Sequence, residues 1–369
     1  MSKKNMILRI GISILFNLIL TCIGIIVIVL GARVAFNYTR NMIVNESERM
    51  SSTDIHCYKF NVNRASKVGS LARDFKKHGI IANTSMFKTE AKSENLELNI
   101  VPGTYIINST MSHSDIIKLL TTDYEADGKT ITISISAGAT IEQVANIISS
   151  TTKTISSKQF LTALNDYDYS SSFGFLKDIP DGEFKYKLEG YIPAGEYTFR
   201  TDASAQEVVI AMLDRMNTIL YNTHANDDKG NYSIHQILTI ASLINKETAT
   251  DEEKANIAGV IANRVNSGMK LELESTIQYC KPKRDMLDID AINVESPYNT
   301  YLNAGLPIGP IGCPDSASVK AALNPAVHDY FYYIPDSYDA SVFHYTTTFE
   351  EFKHLKEDNL KIGYLNFLE

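Results

Sequence analysis

The 369-residue sequence predicts an α+β fold behind a single N-terminal transmembrane helix. Three observations lead there. The chain opens with an apolar run, Ile10 to Ala32, without one charged residue. Stretches that alternate as strands do, such as ITISISAG, are followed by capped helical patterns. After 290, Pro/Gly loops are mixed with the aromatic strand DYFYYIP. At 44% hydrophobic, the chain can bury real cores, and two or three compact units fit its length.

The apolar run comes first. Its 23 residues reach across roughly 30 Å of hydrocarbon at the helical rise and are too many for a signal-peptide core. Lys3, Lys4 and Arg9 precede it, which favours a cytoplasmic N-terminus, although Arg33 and Arg40 follow. The expected product is a single-pass protein of the cell membrane, in contact with lipid through this helix and otherwise extracytoplasmic. Residues 36–57 are polar and read as a juxtamembrane helix or stalk.

From Tyr58 the grammar changes. KFNVN reads as a strand, and ASKVGSLARDFKKHGII as a helix with Val68, Leu71, Ala72 and Phe75 on one face and Gly79 at its end. Pro102-Gly103-Thr104 turns into TYIINS, and SHSDIIKLLTT is a helix that Ser112 or Ser114 can cap. ITISISAG then turns through Gly138 into IEQVANIISS, with a Thr140–Gln143 capping box. Strand–helix units thus occur twice, a loose duplication.

SSKQFLTALND is another helix, and LEGYIPAGEYTF (188–199) a loop with short extended pieces. Helices follow over 204–220 and 232–248. Thr250 and Glu253 can cap a further helix with Ile257, Val260, Ile261 and Val265 inward, closed by Gly268. The expected domains are 1–35 (cytoplasmic end and anchor), 36–57 (stalk), 58–125 (a small module) and 126–369. The last divides into a strand–helix subdomain, 130–200, and a core, 201–369.

Composition narrows the function. A net charge of −8 argues against a nucleic-acid partner. The four cysteines show no CxxC spacing for zinc, so neither metal nor cofactor is expected; Cys280 and Cys313 either pair or stay free thiols. No HExxH, GxSxG or P-loop is present, which removes metalloprotease, α/β-hydrolase and Walker NTPase chemistry. The twenty tyrosines offer ring faces and hydroxyls suited to sugars.

The candidate catalytic residue is Glu247. Ile237, Ile240, Leu243 and Ile244 precede it at offsets that place it on the same helical face. A carboxyl drawn into an apolar cleft keeps its proton near neutral pH and acts as a general acid. The pattern leaves open a solvated glutamate in the last turn. Tyr298, Asn299, Thr300 and Tyr301 carry donors, acceptors and rings for N-acetyl sugars, or shape a turn before a Gly/Pro loop. Glu189 and Glu274 are the other acids that could orient substrate or tune Glu247. Otherwise Glu189 supports its loop and Glu274 is a solvated strand residue. His328 and His344 are set aside as packed or surface residues.

The stretch Ala241-Ser242-Leu243-Ile244-Asn245-Lys246-Glu247-Thr248-Ala249 resembles the A-S-I-I-E-K-E-T-A helix of the endolytic murein transglycosylase family, the YceG-like proteins. Asn245 departs from the first acid of that motif, and Glu247 matches the second, the family's catalytic glutamate. Asn263-Arg264-Val265 with Gly268-Met269-Lys270-Leu271 resembles N-R-L…G-M-x-L. Glu274-Ser275-Thr276-Ile277-Gln278-Tyr279 resembles D-P-T-V-x-Y, with Glu for Asp and Ser for Pro. Ser296 to Tyr301, Gly305-Leu306-Pro307 and Gly309-Pro310-Ile311 are similar to the family's wording. Leu188-Glu189-Gly190-Tyr191 matches the start of L-E-G-Y-L-F-P-D-T-Y, and the 192–196 loop departs from the rest.

The resemblance implies a small LysM-like module over 58–125 and a YceG-like catalytic domain over 126–369. It implies a membrane-anchored endolytic lytic transglycosylase that cuts the MurNAc–GlcNAc bond within peptidoglycan glycan strands. The products carry 1,6-anhydroMurNAc ends, and nascent strand elongation is terminated. Glu247 would be catalytic, with Glu189, Tyr191, Glu274, Thr276, Gln278, Tyr298, Asn299, Thr300 and Tyr301 binding substrate. Implied partners are peptidoglycan glycan strands and the cell-wall synthases and division or elongation proteins. A muramidase-type hydrolase and a non-catalytic glycan-binding scaffold stand as alternatives.

Overall fold

The computed structural model describes residues 3–225, 230, 232–281 and 292–366, with side chains from Leu15 to Asp358 within them. The protein is α+β and divides into two compact units: Met1–Ser52 with His56–Thr122, and Thr53–Ile55 with Asp123–Glu369.

The first unit begins with one helix, α1 (Lys3–Met50), long and apolar enough to cross a membrane. It runs unbroken through the expected anchor and most of the expected stalk; the cations expected to orient it, Lys3, Lys4 and Arg9, have side chains outside the described ones. Strand β1 (Cys57–Val62) leads into α2 (Val68–Lys77), α3 (Thr84–Ser93) and α4 (Leu96–Asn99), then β2 (Gly103–Asn108) and α5 (His113–Thr121). β1 and β2 pair antiparallel, Cys57 opposite Asn108 and Val62 opposite Gly103. The face read from the sequence is inside: Val68, Leu71, Ala72 and Phe75 are buried in one core with Phe87, Leu96 and Ile116. Ser112 rather than Ser114 caps α5, in a capping box with Asp115.

This unit holds the end of α1 by buried charges. Glu46 accepts hydrogen bonds from Arg49 Nε at 3.0 Å and from the Ala82 amide at 3.1 Å. His113 Nε2 lies 3.0 Å from its carboxylate. The Arg49 guanidinium in turn donates to the carbonyls of Ser109 and Met111. Burial alone would raise the Glu46 carboxyl, but His113 and Arg49 bring it down to about 2.

The second unit starts with β3 (Thr130–Ile135), α6 (Ile141–Thr152), α7 (Ser157–Asn165) and a 3₁₀ turn, Gly174–Asp178. β4 (Gly195–Arg200) pairs antiparallel with β3, so the end of the expected 188–199 loop is a strand. Then come α8 (Ala205–Asn222), α9 (Ile234–Glu247), α10 (Asp251–Asn266), α11 (Glu274–Cys280) and α12 (Ser316–Leu323). A hairpin of β5 (Tyr332–Pro335) and β6 (Phe343–Thr346) precedes α13 (Phe349–Asn366).

Two expectations need correction. Thr250 stands before α10 but makes no side-chain cap: its hydroxyl pairs with that of Thr248, 2.9 Å away. Glu274 opens a helix and is exposed there; it is not a strand residue. Of the two readings open for Cys280 and Cys313, free thiols hold, the first donating to Ser296 Oγ, the second fully buried.

The packing of α9 places the site. Ser233 caps it in a box with Gln236, and Ile237, Leu238, Ile240, Ala241, Leu243 and Ile244 are buried against α10, α11 and α12. The extended backbone of Thr248 ends the helix one residue after Glu247.

Candidate active site

Glu247 sits in the last turn of α9, on the face that carries Ile237, Ile240 and Ile244 into the core. Its carboxyl faces a cleft of roughly 320 Å³. Ser275 Oγ, from α11, donates to Glu247 Oε1 at 2.7 Å. The Tyr333 hydroxyl, from β5, donates to Oε2 at 2.9 Å. Burial pushes the Glu247 carboxyl up, against the opposing pull of these two donors. The result is an acid group that favours its proton, is fixed at both oxygens, and fronts a cavity.

Arg264 and Asn263 set β5 at the right height for Tyr333. Arg264 Nε donates to the Phe331 carbonyl at 2.6 Å and Nη1 to that of Leu271 at 2.7 Å. Its guanidinium carbon lies 4.9 Å from the centre of the Tyr332 ring. Asn263 Nδ2 donates to the carbonyls of His328 and Tyr330, both at 2.8 Å. These two side chains of α10 therefore clamp the approach to β5 and the lead into α11.

Asn245 has a role of its own. Its Nδ2 donates to Asp315 Oδ2 at 3.1 Å, and its Oδ1 accepts from the Asp315 amide at 3.0 Å. Asp315 caps α12 and receives Lys254 Nζ at 2.7 Å. Asn245 thus ties α9 to the start of α12 and contributes no second carboxylate beside Glu247.

Of the other sequence candidates, Glu274 and Tyr301 line the same cleft as Glu247. The rest take internal roles or lie elsewhere. Thr276 and Thr300 are buried and share a hydroxyl contact of 3.0 Å, while Thr300 Oγ1 accepts from the Leu273 amide. Asn299 Nδ2 donates to the carbonyls of Ile292 and Val294, and its Oδ1 accepts from the Tyr301 amide. Tyr298 is buried, its ring 4.9 Å from that of Tyr279. Gln278 is exposed on α11 and does not line the cleft. The Tyr191 hydroxyl meets His235 Nδ1 at 2.9 Å, and His235 Nε2 meets the Ile308 carbonyl at 2.7 Å, which fastens the Gly/Pro loop. Thr276, Thr300, Asn299 and Tyr191 thus spend their polar atoms on protein partners, whereas the Tyr298 hydroxyl is buried without one.

Glu189 is buried as well. It accepts from the Ile141 amide at 3.1 Å and from the Tyr279 hydroxyl at 3.0 Å, and burial pushes its carboxyl up to about 7. Gly190 beside it has φ of 75°, and a side-chain carbon there would run into Pro310. Ser275 and Tyr279 lie one turn apart on α11, so a single helix face reaches both carboxyls.

Sequence reasoning missed Ser275, Tyr333 and the Arg264 clamp. Two of these had a local signal: Ser275 stands where the D-P-T pattern has proline and adds a hydroxyl, and Arg264 stands in the stretch that resembles N-R-L.

The family model described as the YceG-like family matches residues 60–358. The "endolytic murein transglycosylase" of Bacillus subtilis (strain 168) is 31% identical over 333 residues, covering 88% of this chain and 89% of that protein. The protein of the same name in Streptococcus pneumoniae (strain D39) is 27% identical over 300 residues, covering 76% of this chain and 54% of its own length. A crystal structure of a YceG-like protein from Listeria monocytogenes superposes with a TM-score of 0.57 at 26% identity, over 81% of this chain and 99% of that one.

Proposed function

Since the chain belongs to the YceG-like family, we propose that it is a peptidoglycan lytic transglycosylase with Glu247 as its catalytic acid–base. The observation that carries the proposal is the Glu247 carboxyl, half-buried and bonded at both oxygens, at the wall of an open cleft. Ser275 and Tyr333 each occupy one lone pair, so the acidic proton is left to point at substrate.

In the first half of the reaction Glu247 gives its proton to the glycosidic oxygen of a MurNAc–GlcNAc bond as that bond breaks. In the second, the C6 hydroxyl of the same muramyl ring attacks its anomeric carbon, and the Glu247 carboxylate takes the hydroxyl proton. Glu247 is thereby restored, no water is consumed, and the product ends in a 1,6-anhydro ring. The intramolecular attack replaces a bound nucleophile by proximity. Acid–base assistance of this kind contributes about 10²–10⁴-fold. Tyr333 and Ser275 steady the carboxylate between the halves.

The finer reading follows from the same premises. Helix α1 anchors the protein in the cell membrane with its N-terminus cytoplasmic, and residues 58–125 form a LysM-like module before a catalytic domain over 126–369. Cuts within strands end the elongation of nascent glycan, in company with cell-wall synthases and division or elongation proteins. Support comes from the apolar length of α1 and from the names of the relatives.

Glu247→Gln should abolish release of anhydro-ended fragments from purified glycan strands while the melting temperature is retained. Undiminished release would reject the assignment. A second reading is favoured by Glu272 and Glu274, which line the same cleft: a hydrolase using one of them as base or nucleophile. Mass spectrometry separates the two, because a reducing end is heavier than an anhydro end by one water.

A further inference from the structure

The C-terminal helix α13 forms part of the cleft wall. Phe349, Phe352 and Lys356 are spaced i, i+3 and i+7, which places them along one side of the helix, and all three line the cleft that Glu247 faces. The Phe352 ring stacks on Tyr332 with centroids 5.4 Å apart and an interplanar angle of 25°. Phe349 lies 6.0 Å from Tyr332 and 6.4 Å from Phe352. The three rings make a continuous aromatic shelf, backed by the Arg264 guanidinium.

The exposure of this shelf is what calls for a ligand. Phe349 is 58% exposed, although a ring of that size ordinarily goes to a core. The shelf adjoins the residue next in sequence, Tyr333, whose hydroxyl holds the reacting carboxyl. A pyranose has one flat face of C–H groups, and an aromatic ring is its natural complement: apolar, planar and faintly negative over the face. Lys356 lies one turn beyond Phe352 and is exposed. The other charged side chains lining the cleft are Glu247, Glu272, Glu274 and Arg264, and Arg264 donates to the Phe331 and Leu271 carbonyls. Lys356 is therefore the cation placed to meet an anionic substituent.

We propose that Tyr332, Phe349 and Phe352 form a sugar-stacking subsite beside Glu247, with Lys356 selecting strands whose muramyl residues carry a carboxylate-bearing peptide. The subsite rests on the functional reading above, and its test is arranged to fail separately. Binding is measured on the Glu247→Gln background, where strands stay intact, using defined glycan strands with their peptides and the same strands stripped of peptide by an amidase. Phe349→Ala and Phe352→Ala should each weaken binding of both substrates roughly five- to tenfold, and Phe352→Tyr should restore it. Lys356→Ala should weaken only the peptide-bearing strands, by about threefold, with melting temperatures unchanged in every variant.

Unchanged affinity in both alanine variants overturns the shelf. No loss with Lys356→Ala, or equal loss on both substrates, overturns the selection. Turnover by the wild-type chain is read in parallel. Absence of anhydro-ended product there would remove the lytic reading, and the binding arms would still decide the subsite.

Discussion

The Glu247 carboxyl is set by two opposing influences, and single substitutions separate them. Burial raises its pKa while the Ser275 and Tyr333 hydroxyls lower it by bonding to the charged form. Removing one donor therefore raises it further. On the proposed mechanism activity requires the protonated acid and falls as pH rises through this pKa, so Tyr333→Phe should move the alkaline limb of the kcat/KM profile to higher pH. The loss of positioning should cost about tenfold at the plateau. A profile left in place would show that the hydroxyl does not bond the carboxyl in solution.

Glu189 offers a stability test of the same physics. Its folded pKa, about 7, lies above its ordinary 4.5. Between those values the native state keeps a proton that the unfolded chain has lost, so stability falls as pH rises through the window. The full effect is about 3 kcal/mol. Thermal melts at pH 5 and pH 8 should show the wild type more stable at the lower pH, and Glu189→Gln should remove most of that difference.

At the scale of elements, the site depends on contacts between helices far apart in sequence. Asn245 and Asp315 join α9 to α12, with Lys254 of α10 completing the set. Asn245→Asp would remove the amide donor and set a second carboxylate against Asp315. A loss of about 2 kcal/mol is expected, read as a lower melting temperature that Asp315→Asn partly repairs.

Much of the element plan was legible in the sequence because its signals are local. The Thr140–Gln143 box, the Val68–Phe75 face and the apolar stripe of α9 each fall within a few residues, and each element is where the pattern put it. α11 was not legible, because seven residues are too few to show a period. The Tyr333 contact was not legible either: it joins residues 86 apart in sequence, and only the fold brings strand to helix. For the same reason the sequence carries no sign that the buried hydroxyls of Thr276 and Thr300 pair with each other across 24 residues.

At the scale of the molecule, the first unit has its own pH range. Glu46, held at about 2, contributes stability above its ordinary 4.5 that is lost as pH falls toward 2. His113, which burial lowers but Glu46 and Glu90 raise more, contributes below its ordinary 6.5 and loses that contribution as pH rises through its folded value. The unit is accordingly most stable between about 4.5 and 6.5. Glu46→Gln would leave Arg49 and His113 without their shared anion, at a cost of about 3 kcal/mol. Hydrogen exchange should locate the loosening in residues 46–113, and melting of the second unit should not change.

The unbroken run of α1 from Lys3 to Met50, pinned at its far end by Glu46 and Arg49, has a mechanical consequence. Past Ala32 it continues for 18 residues, about 27 Å at the helical rise; with the apolar run placed in a bilayer as proposed, this stretch would act as a strut of fixed height below the rest of the first unit. Lengthening that strut by seven residues would lift the unit about 10 Å while turning it by only about 20°. The stand-off could then be varied almost independently of heading.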